Sequence, residues 1–101
     1  MNSICLIGRL TADPDFKIVN DKGLSKFTVA VNDRFNKDRA DFVDCVAWGK
    51  TGELIADHFK KGKEIAINGR LRQERWEKDG KGRSKIVVVV ESFDFIGPKE
   101  G

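Results

Sequence analysis

The chain has 101 residues, 40% of them hydrophobic and 35% charged, and its 19 Lys and Arg against 16 Asp and Glu leave a net charge of +3. This length predicts a single domain around one core, and the hydrophobic share is too high for a disordered chain. The longest apolar run, residues 86–90, is far too short to cross a membrane. No secretory signal pattern opens the sequence, so neither a membrane-spanning nor a secreted protein is expected.

The positive charge is concentrated in one third of the chain. Residues 50–85 carry 11 basic and 6 acidic side chains, whereas residues 1–49 carry seven of each. Residues 86–101 carry one basic and three acidic side chains. An anionic polymer is a natural partner for such a basic segment, and a merely solvated face is an equal alternative on charge alone.

The first half of the chain predicts three main strands separated by polar or turn-forming residues, with a short edge strand between the first two at residues 16–19. The main strands cover residues 3–10, 25–32 and 41–48. The strand over residues 25–32 alternates most clearly, with Phe27, Val29 and Val31 on one face. A turn over residues 20–23 and a polar loop over residues 33–40 provide the connections.

The second half predicts one helix and two long strands. The helical pattern covers residues 49–62, with Thr51 as an N-cap, an apolar side that includes Ile55 and Phe59, and a stop at Gly62. Two strands follow, which cover residues 64–77 and 84–95 and enclose a hairpin turn at residues 78–82.

This order of elements predicts an all-β fold. About five strands with one short helix between the third and fourth match the five-stranded Greek-key barrel called the OB-fold, whose strand face and loops bind oligonucleotides. Closure of the barrel also explains a last strand that is apolar on both faces. We expect the domain to cover residues 1–97, with residues 98–101 as a short C-terminal remnant.

Three aromatic residues fall on the wetter sides of their strands. Phe42 and Trp48 lie in the opposite phase to the small core residues Val43, Cys45 and Ala47. In the strand over residues 64–77, the predicted core phase contains Ile65, Ile67, Gly69 and Leu71. Trp76 lies in the other phase, with Asn68, Arg70, Arg72 and Glu74.

Exposed aromatic rings beside basic residues are typical of surfaces that stack nucleobases, an interaction worth about 1–3 kcal/mol per base in proteins that bind single strands. Nearby Lys and Arg neutralise phosphates without reading sequence. The alternative is that the rings pack under a loop or between subunits. Phe35, in a charged loop, is a fourth candidate.

Catalytic patterns are not found. Trp48-Gly49-Lys50-Thr51 lies between a strand and a helix, but a phosphate-binding loop needs a glycine where this chain has Asp44. His58 is the single histidine and lies on the apolar side of the helix, where packing or capping is its expected role. Acidic residues are scattered, so neither an enzyme nor a metal site nor a cofactor is expected.

The two cysteines, Cys5 and Cys45, lie inside apolar runs without the spacing of metal ligands or a base partner. We expect both to be buried, reduced thiols of a cytosolic protein.

The sequence resembles the bacterial and phage single-stranded DNA-binding proteins. The matching stretches include NSICLIGRL, FTVAVN, ADFVDCVAWGK and INGRLR, at residues 2–10, 27–32, 40–50 and 67–72, together with shorter matches at residues 13–14, 60–62 and 75–76. No single stretch is diagnostic, but the series follows the family's order through nearly the whole chain.

The resemblance implies a set of binding residues and an assembly. The family's stacking aromatics fall at Phe35, Phe42, Trp48 and Trp76. Its phosphate contacts map to Arg9, Lys50, Lys61, Arg72 and Arg75. Family members are usually homotetramers that protect single-stranded DNA in replication, recombination and repair, so the resemblance implies a cytoplasmic homotetramer, associated with the bacterial nucleoid or encoded by a phage.

Two features depart from the family pattern. The loop over residues 33–40 is shorter than in several relatives, which weakens the alignment of Phe35. The sequence also stops at Gly101, without the Gly/Pro/Gln-rich linker and acidic tip that recruit replication and repair proteins. Recruitment of such partners through a tail is therefore not expected.

Two other functions are compatible with the residues. One is an RNA-binding OB module of the cold-shock kind, which contacts to the 2′-hydroxyl would distinguish. The other is a protein-interaction barrel of a replication complex, with Trp48 and Trp76 buried between subunits.

Overall fold

The computed structural model describes residues 1–96, which form six strands and one helix. The elements are β1 (Ile4–Leu10), β2 (Asp15–Val19), β3 (Lys22–Asn32), β4 (Ala40–Trp48), α1 (Gly49–His58), β5 (Glu64–Lys78) and β6 (Lys81–Phe95). The predicted domain boundary after residue 97 and the remnant over residues 98–101 lie outside the described residues.

Five of the strands close into a barrel. The sheet order is β1-β5-β6-β4-β3-β2, and β1 also pairs with β3, which joins the two ends of the five-stranded part. All pairings are antiparallel except that of β4 with β6. This confirms the predicted all-β OB-fold barrel with one short helix.

The sixth strand is β2, which lies outside the closed barrel as a hairpin partner of β3. Its turn is formed by Asn20 and Asp21, whose φ values of 50° and 65° are positive. Two positive φ values in a two-residue connection produce the tight turn that pairs adjacent strands. Counting β2 separately places the helix between β4 and β5.

The helix is shorter than the sequence predicts and has a different cap. It ends at His58, and Phe59 is its C-cap, with a backbone N–H that donates to the carbonyl of Ile55. The prediction that Thr51 is the N-cap is wrong. The helix begins directly after Trp48 without a side-chain cap, because Gly49, with φ of 66°, turns the chain from strand to helix.

The helix seals one end of the barrel. Ile55 and Phe59 are both fully buried in the core cluster, against residues that include Ile65 and Val88. The buried hydroxyl of Ser25 on β3 donates to the carbonyl of Gly52 over 2.6 Å, which ties the helix to the sheet without leaving a polar group unsatisfied.

Strand β6 is buried on both faces in its middle. Val88 and Val90 belong to the barrel core, whereas Val87 and Val89 belong to a second apolar cluster outside the barrel. After Val90 the register between β5 and β6 shifts. Gly69 pairs with Val90, but the preceding Asn68 pairs with Ser92, so Glu91 is the extra residue of a β-bulge. The bulge moves the inward phase from even-numbered to odd-numbered residues.

Two predicted core positions are exposed. Leu71 is an exposed side chain, although it continues the phase of the buried Ile65 and Ile67. The last residue of β5 that pairs with β1 is Gly69, so the barrel wall beside Leu71 ends there. Cys5 is also exposed, because it lies in the outward phase of β1, opposite Asn68.

Cys45 is buried, as predicted. Burial raises the pKa of its thiol from 9.0 to about 12, with a smaller contribution from the neighbouring carboxylate of Asp44. The thiol is therefore protonated at neutral pH, which makes it a poor nucleophile.

Among residues 1–96, no helix is long and apolar enough to cross a membrane.

The close approach of β5 and β6 at the bulge provides a test of the fold. A Cβ atom on Gly69 would clash with the backbone carbonyl of Val89, which cannot move without separating the strands. We expect Gly69→Ala to lower the free energy of unfolding by about 2 kcal/mol, the ordinary cost of overpacking.

The matched control is Gly82→Ala in the same hairpin, where a Cβ atom would meet nothing within 4 Å. Denaturant unfolding should place this variant within about 0.5 kcal/mol of the parent protein. Equal stability of the two variants would contradict the described packing of β5 on β6.

Candidate nucleic-acid interface

One continuous surface is formed by the outward faces of β3, β4, β6 and β5, together with the end of β1, where Arg9 pairs with Ala30 of β3. Because side chains alternate along a strand, residues paired across neighbouring strands share a face. The outward phase of β4 contains Phe42, Asp44, Val46 and Trp48, and that of β5 contains Arg70, Arg72, Glu74 and Trp76. We call this surface the outer face.

Two of the candidate aromatics stand at the two ends of β4. Phe42 pairs with Ala30 and is 69% exposed, whereas Trp48 pairs with Leu24 and is 36% exposed. The two residues are six positions apart, a distance of about 20 Å along an extended strand. Both residues pair with β3, which follows β4 along its whole length, and β6 pairs with the middle of β4 at Cys45 and Val46, so neither ring depends on a flexible loop.

Trp76 stands near the tip of the β5–β6 hairpin and is 44% exposed. It pairs with Arg83, and the next outward pair along the hairpin is Glu74 with Lys85. The hairpin register follows from its two-residue turn, in which Asp79 and Gly80 both have positive φ. This turn therefore places Arg83 opposite Trp76 on the neighbouring strand.

The middle of the outer face is apolar and closely packed. Val46, which the alternation pattern placed on the wet side, is buried with Leu24, Val87 and Val89, and Val19 of β2 packs against them. This cluster joins β3, β4 and β6 from outside the barrel. It holds β4, which carries Phe42 and Trp48, in a fixed position relative to β6, which carries Lys85.

Phe35 lies in the loop over residues 33–39 and is 93% exposed. The loop is organised by the carboxylate of Asp33, which accepts hydrogen bonds from the backbone N–H groups of Phe35, over 2.8 Å, and Asn36, over 3.2 Å. The guanidinium of Arg34 lies 6.0 Å from the centre of the Phe35 ring. The ring therefore projects from an ordered turn at the same end of β4 as Phe42.

Two of the candidate cations lie at the edge formed by β1 and the turn after the helix. Arg9 pairs with Ala30, which pairs with Phe42, so these side chains form one row on the outer face. The Arg9 guanidinium donates to the carbonyl of Gly62 over 3.1 Å. Lys61 precedes Gly62, and its backbone N–H donates to the carboxylate of Asp13 while its side chain is exposed.

The other three candidate cations are divided between two faces. Lys50 is exposed in the first turn of the helix, two residues after Trp48. Arg72 lies on the outer face, where its guanidinium is 3.5 Å from the carboxylate of Glu74. Arg75 lies in the opposite strand phase and donates to the side chain of Gln73, so the structure does not align it with Arg72.

Further cations on the outer face were not among the predicted phosphate contacts. They include Lys26, Arg70, Arg83 and Lys85. The signal for Arg83 and Lys85 was present in the sequence, because an Asp-Gly turn at residues 79–80 pairs Trp76 with Arg83 once the register is counted outward from it.

A polar cluster lies between Phe42 and the apolar centre. The hydroxyl of Thr28 on β3 donates to one oxygen of the Asp44 carboxylate over 2.8 Å. The ammonium of Lys85 on β6 lies 3.4 Å from the other oxygen. These three side chains border a cavity of about 320 Å³ on the outer face.

The described residues contain no group of three or more His, Cys, Asp or Glu side chains that could hold a metal ion. The ring of His58 lies edge-on to Phe95, 5.9 Å between ring centres. The predicted packing role of His58 agrees with this contact.

The chain matches known proteins along its whole described length. The model of the Single-strand binding protein family matches residues 1–96. A single-stranded DNA-binding protein of Clostridium perfringens is 48% identical over 104 residues, which cover 100% of this chain and 69% of that protein. A protein of the same name from Fusobacterium nucleatum is 42% identical over 102 residues, covering 94% of this chain and 66% of the relative.

A third relative, single-stranded DNA-binding protein 2 of Streptococcus agalactiae, is 42% identical over 100 residues, covering 94% of this chain and 76% of its own length. The chain thus spans between 66% and 76% of the length of these three relatives. The family consists of binding proteins, which confirms that the chain is not an enzyme. With a family match over residues 1–96, the chain belongs to the single-strand binding protein family.

Proposed function

We propose that this protein binds and protects single-stranded DNA without strong sequence preference, in replication, recombination and repair. The observation that carries the proposal is the outer face, on which Phe42, Trp48 and Trp76 are exposed among basic side chains. The names of the relatives, which are single-stranded DNA-binding proteins, support the same function.

Stacking explains why the strand must be unpaired. In a duplex, both faces of each base are covered by its neighbours, whereas an unpaired base offers its π-face to an aromatic ring. Phe42 and Trp48 lie about 20 Å apart along β4, which is a distance that several nucleotides span. Every base has such a face, so this contact tolerates any sequence.

The basic side chains supply the second part of the proposed binding, which is contact with the phosphates. Arg9, Arg72 and Lys85 lie on the same face as the rings, and Lys50 lies beside Trp48. Lys and Arg that neutralise phosphates release bound counterions, which makes the affinity fall as salt rises. Phosphate contacts position the strand and carry no sequence information.

RNA binding is the second candidate, since OB-fold barrels serve both polymers. The names of the relatives favour DNA. Matched DNA and RNA oligomers of one sequence separate the two functions, because a preference for RNA requires contacts to the 2′-hydroxyl.

We also propose that the protein assembles as a homotetramer. Strand β1 pairs with β5 along residues 4–9 but reaches β3 only at Arg9 and Leu10, so the other edge of residues 4–8 is unpaired. The exposed side chain of Ile7 lies on this strand, beside an apolar groove of about 810 Å³ that Val31 and Ala66 also border. An unpaired edge with exposed apolar residues favours pairing with another chain.

The free thiols of Cys5 and Cys45 fit action in the reducing cytoplasm, on nucleoid or phage DNA.

Loss of the Trp76 ring tests the stacking surface. We expect Trp76→Ala to weaken binding to a fluorescently labelled oligo-dT by about 1–3 kcal/mol, since one stacked base loses its partner. Fluorescence anisotropy at a fixed salt concentration measures the change. Ile86→Ala is the control, because Ile86 is also exposed on the same hairpin but lies on its other face. Equal affinity of both variants would show that the ring does not contact DNA.

A charge on the β1 edge tests the assembly. We expect Ile7→Glu to reduce the molecular mass in solution, measured by light scattering after gel filtration, because the carboxylate would be buried between subunits. Ile18→Glu on β2 introduces the same charge at an exposed position outside the barrel. An unchanged mass for Ile7→Glu would rule out the β1 edge as the subunit interface.

A further inference from the structure

The sheet has a second open edge, which the proposed tetramer does not use. The edge of β1 is the proposed contact between subunits. Among residues 1–96, β2 stands at the end of the sheet order and pairs only with β3. We infer that the open edge of β2 binds the β2 edge of a second copy, which joins neighbouring proteins on one DNA strand. The inference rests on the proposed function, since the contact forms between DNA-bound copies.

The backbone of β2 offers hydrogen bonds at this edge. The two-residue turn after Val19 makes the pair that closes the hairpin a hydrogen-bonded pair. Hydrogen-bonded and non-hydrogen-bonded pairs alternate along an antiparallel ladder, so Lys17 and Asp15 also bond to β3. The backbone N–H and C=O groups of Phe16 and Ile18 therefore point toward the open edge. Such free groups are a template for another strand.

One face of this edge is apolar and exposed. Phe16 is 40% exposed and Ile18 is 62% exposed, and both lie in the strand phase of Ser25, which bonds to the helix. The Phe16 ring lies against Gly23 of β3, where a Cβ atom would come within 2.9 Å of the ring. Its position is therefore fixed before any contact forms. A strand added beside β2 would cover both apolar side chains.

The charges on the other face identify a second copy as the occupant. Asp15 and Lys17 are exposed there, and Lys26 of β3 lies opposite Asp15. When two β2 strands pair antiparallel about Phe16, Asp15 of each copy lies opposite Lys17 of the other. Two opposite-charge pairs then form, and cross-strand pairs of this kind stabilise sheets. Pairing about Lys17 would instead place two ammonium groups opposite one another, so the charges also select the register.

The contact leaves the aromatic rings free for DNA. Strand β3 separates β2 from β4, which carries Phe42 and Trp48. Antiparallel pairing about Phe16 keeps Asp15 of one copy and Lys17 of the other on the same face of the joined sheet. The outer faces of two copies therefore lie side by side and point in the same direction.

The contact is too small to join proteins that are free in solution. A five-residue strand is about 17 Å long, whereas stable interfaces bury about 1,200–2,000 Å² in total. Copies bound to one DNA strand meet at a much higher effective concentration than free copies do. The β2 contact therefore makes binding to a long strand cooperative and leaves the mass of the free protein unchanged.

The test compares a long poly-dT with the shortest oligo-dT that quenches the tryptophan emission fully. The ratio of the two affinities per site measures the cooperativity between neighbours. We expect the parent protein to bind a site on poly-dT more tightly than the oligomer. Lys17→Asp turns two attractive pairs into repulsive ones and should lower the ratio by about threefold or more.

Exchange of the two charges provides the matched rescue. Asp15→Lys combined with Lys17→Asp restores opposite charges in the same register, so this double variant should return the ratio to the parent value. Lys22→Asp is the control, because it makes the same change of charge at an exposed position on β3, away from the open edge. This variant should leave the ratio unchanged, even where both affinities fall.

An unchanged ratio in Lys17→Asp would overturn the inference and leave the edge to a different occupant, such as a strand of another protein. An equal loss in Lys22→Asp, or no recovery in the double variant, would overturn it as well, since charge alone would then be responsible. So would a parent protein that binds both ligands with equal affinity per site. Failure of the parent protein to bind the oligomer would instead defeat the proposed function.

Discussion

The packing of β6 between two apolar clusters positions the rest of the molecule. Val88 and Val90 fill the barrel, while Val87 and Val89 pack under Leu24 and Val46 on the outer side. Full burial of each such side chain contributes about 1.5–3 kcal/mol relative to exposure. Because β6 pairs with both β4 and β5, this double burial fixes the strand of Phe42 and Trp48 relative to the strand of Trp76.

The outer face combines rigidly held aromatic rings with charged side chains. In the proposed function, the rings on β4 and the hairpin are the stacking surfaces, and cations from β1, β5 and β6 lie among them. Pre-positioned rings lose little conformational freedom on binding, which preserves the free energy of stacking. Within this surface, Asp44 is an acidic side chain whose carboxylate is held between Thr28 and Lys85.

Alternation along single strands predicted the barrel and three of the four aromatic positions, because a period of two depends only on local sequence. It failed where burial depends on which strand lies alongside. Leu71 and Cys5 have the right residue types for a core, but no neighbouring strand covers them, whereas Val46 is covered from outside the barrel. The bulge at Glu91 also changes the inward phase of β6, and only the pairing with β5 reveals it.

The most direct test of the account is a titration of the protein with poly-dT while its tryptophan fluorescence is followed at low and at high salt. The two tryptophans, Trp48 and Trp76, both lie on the outer face. Stacking of bases on these rings should quench the emission strongly, and the affinity should fall steeply as salt rises. Emission that does not change with poly-dT, together with an affinity insensitive to salt, would contradict the account.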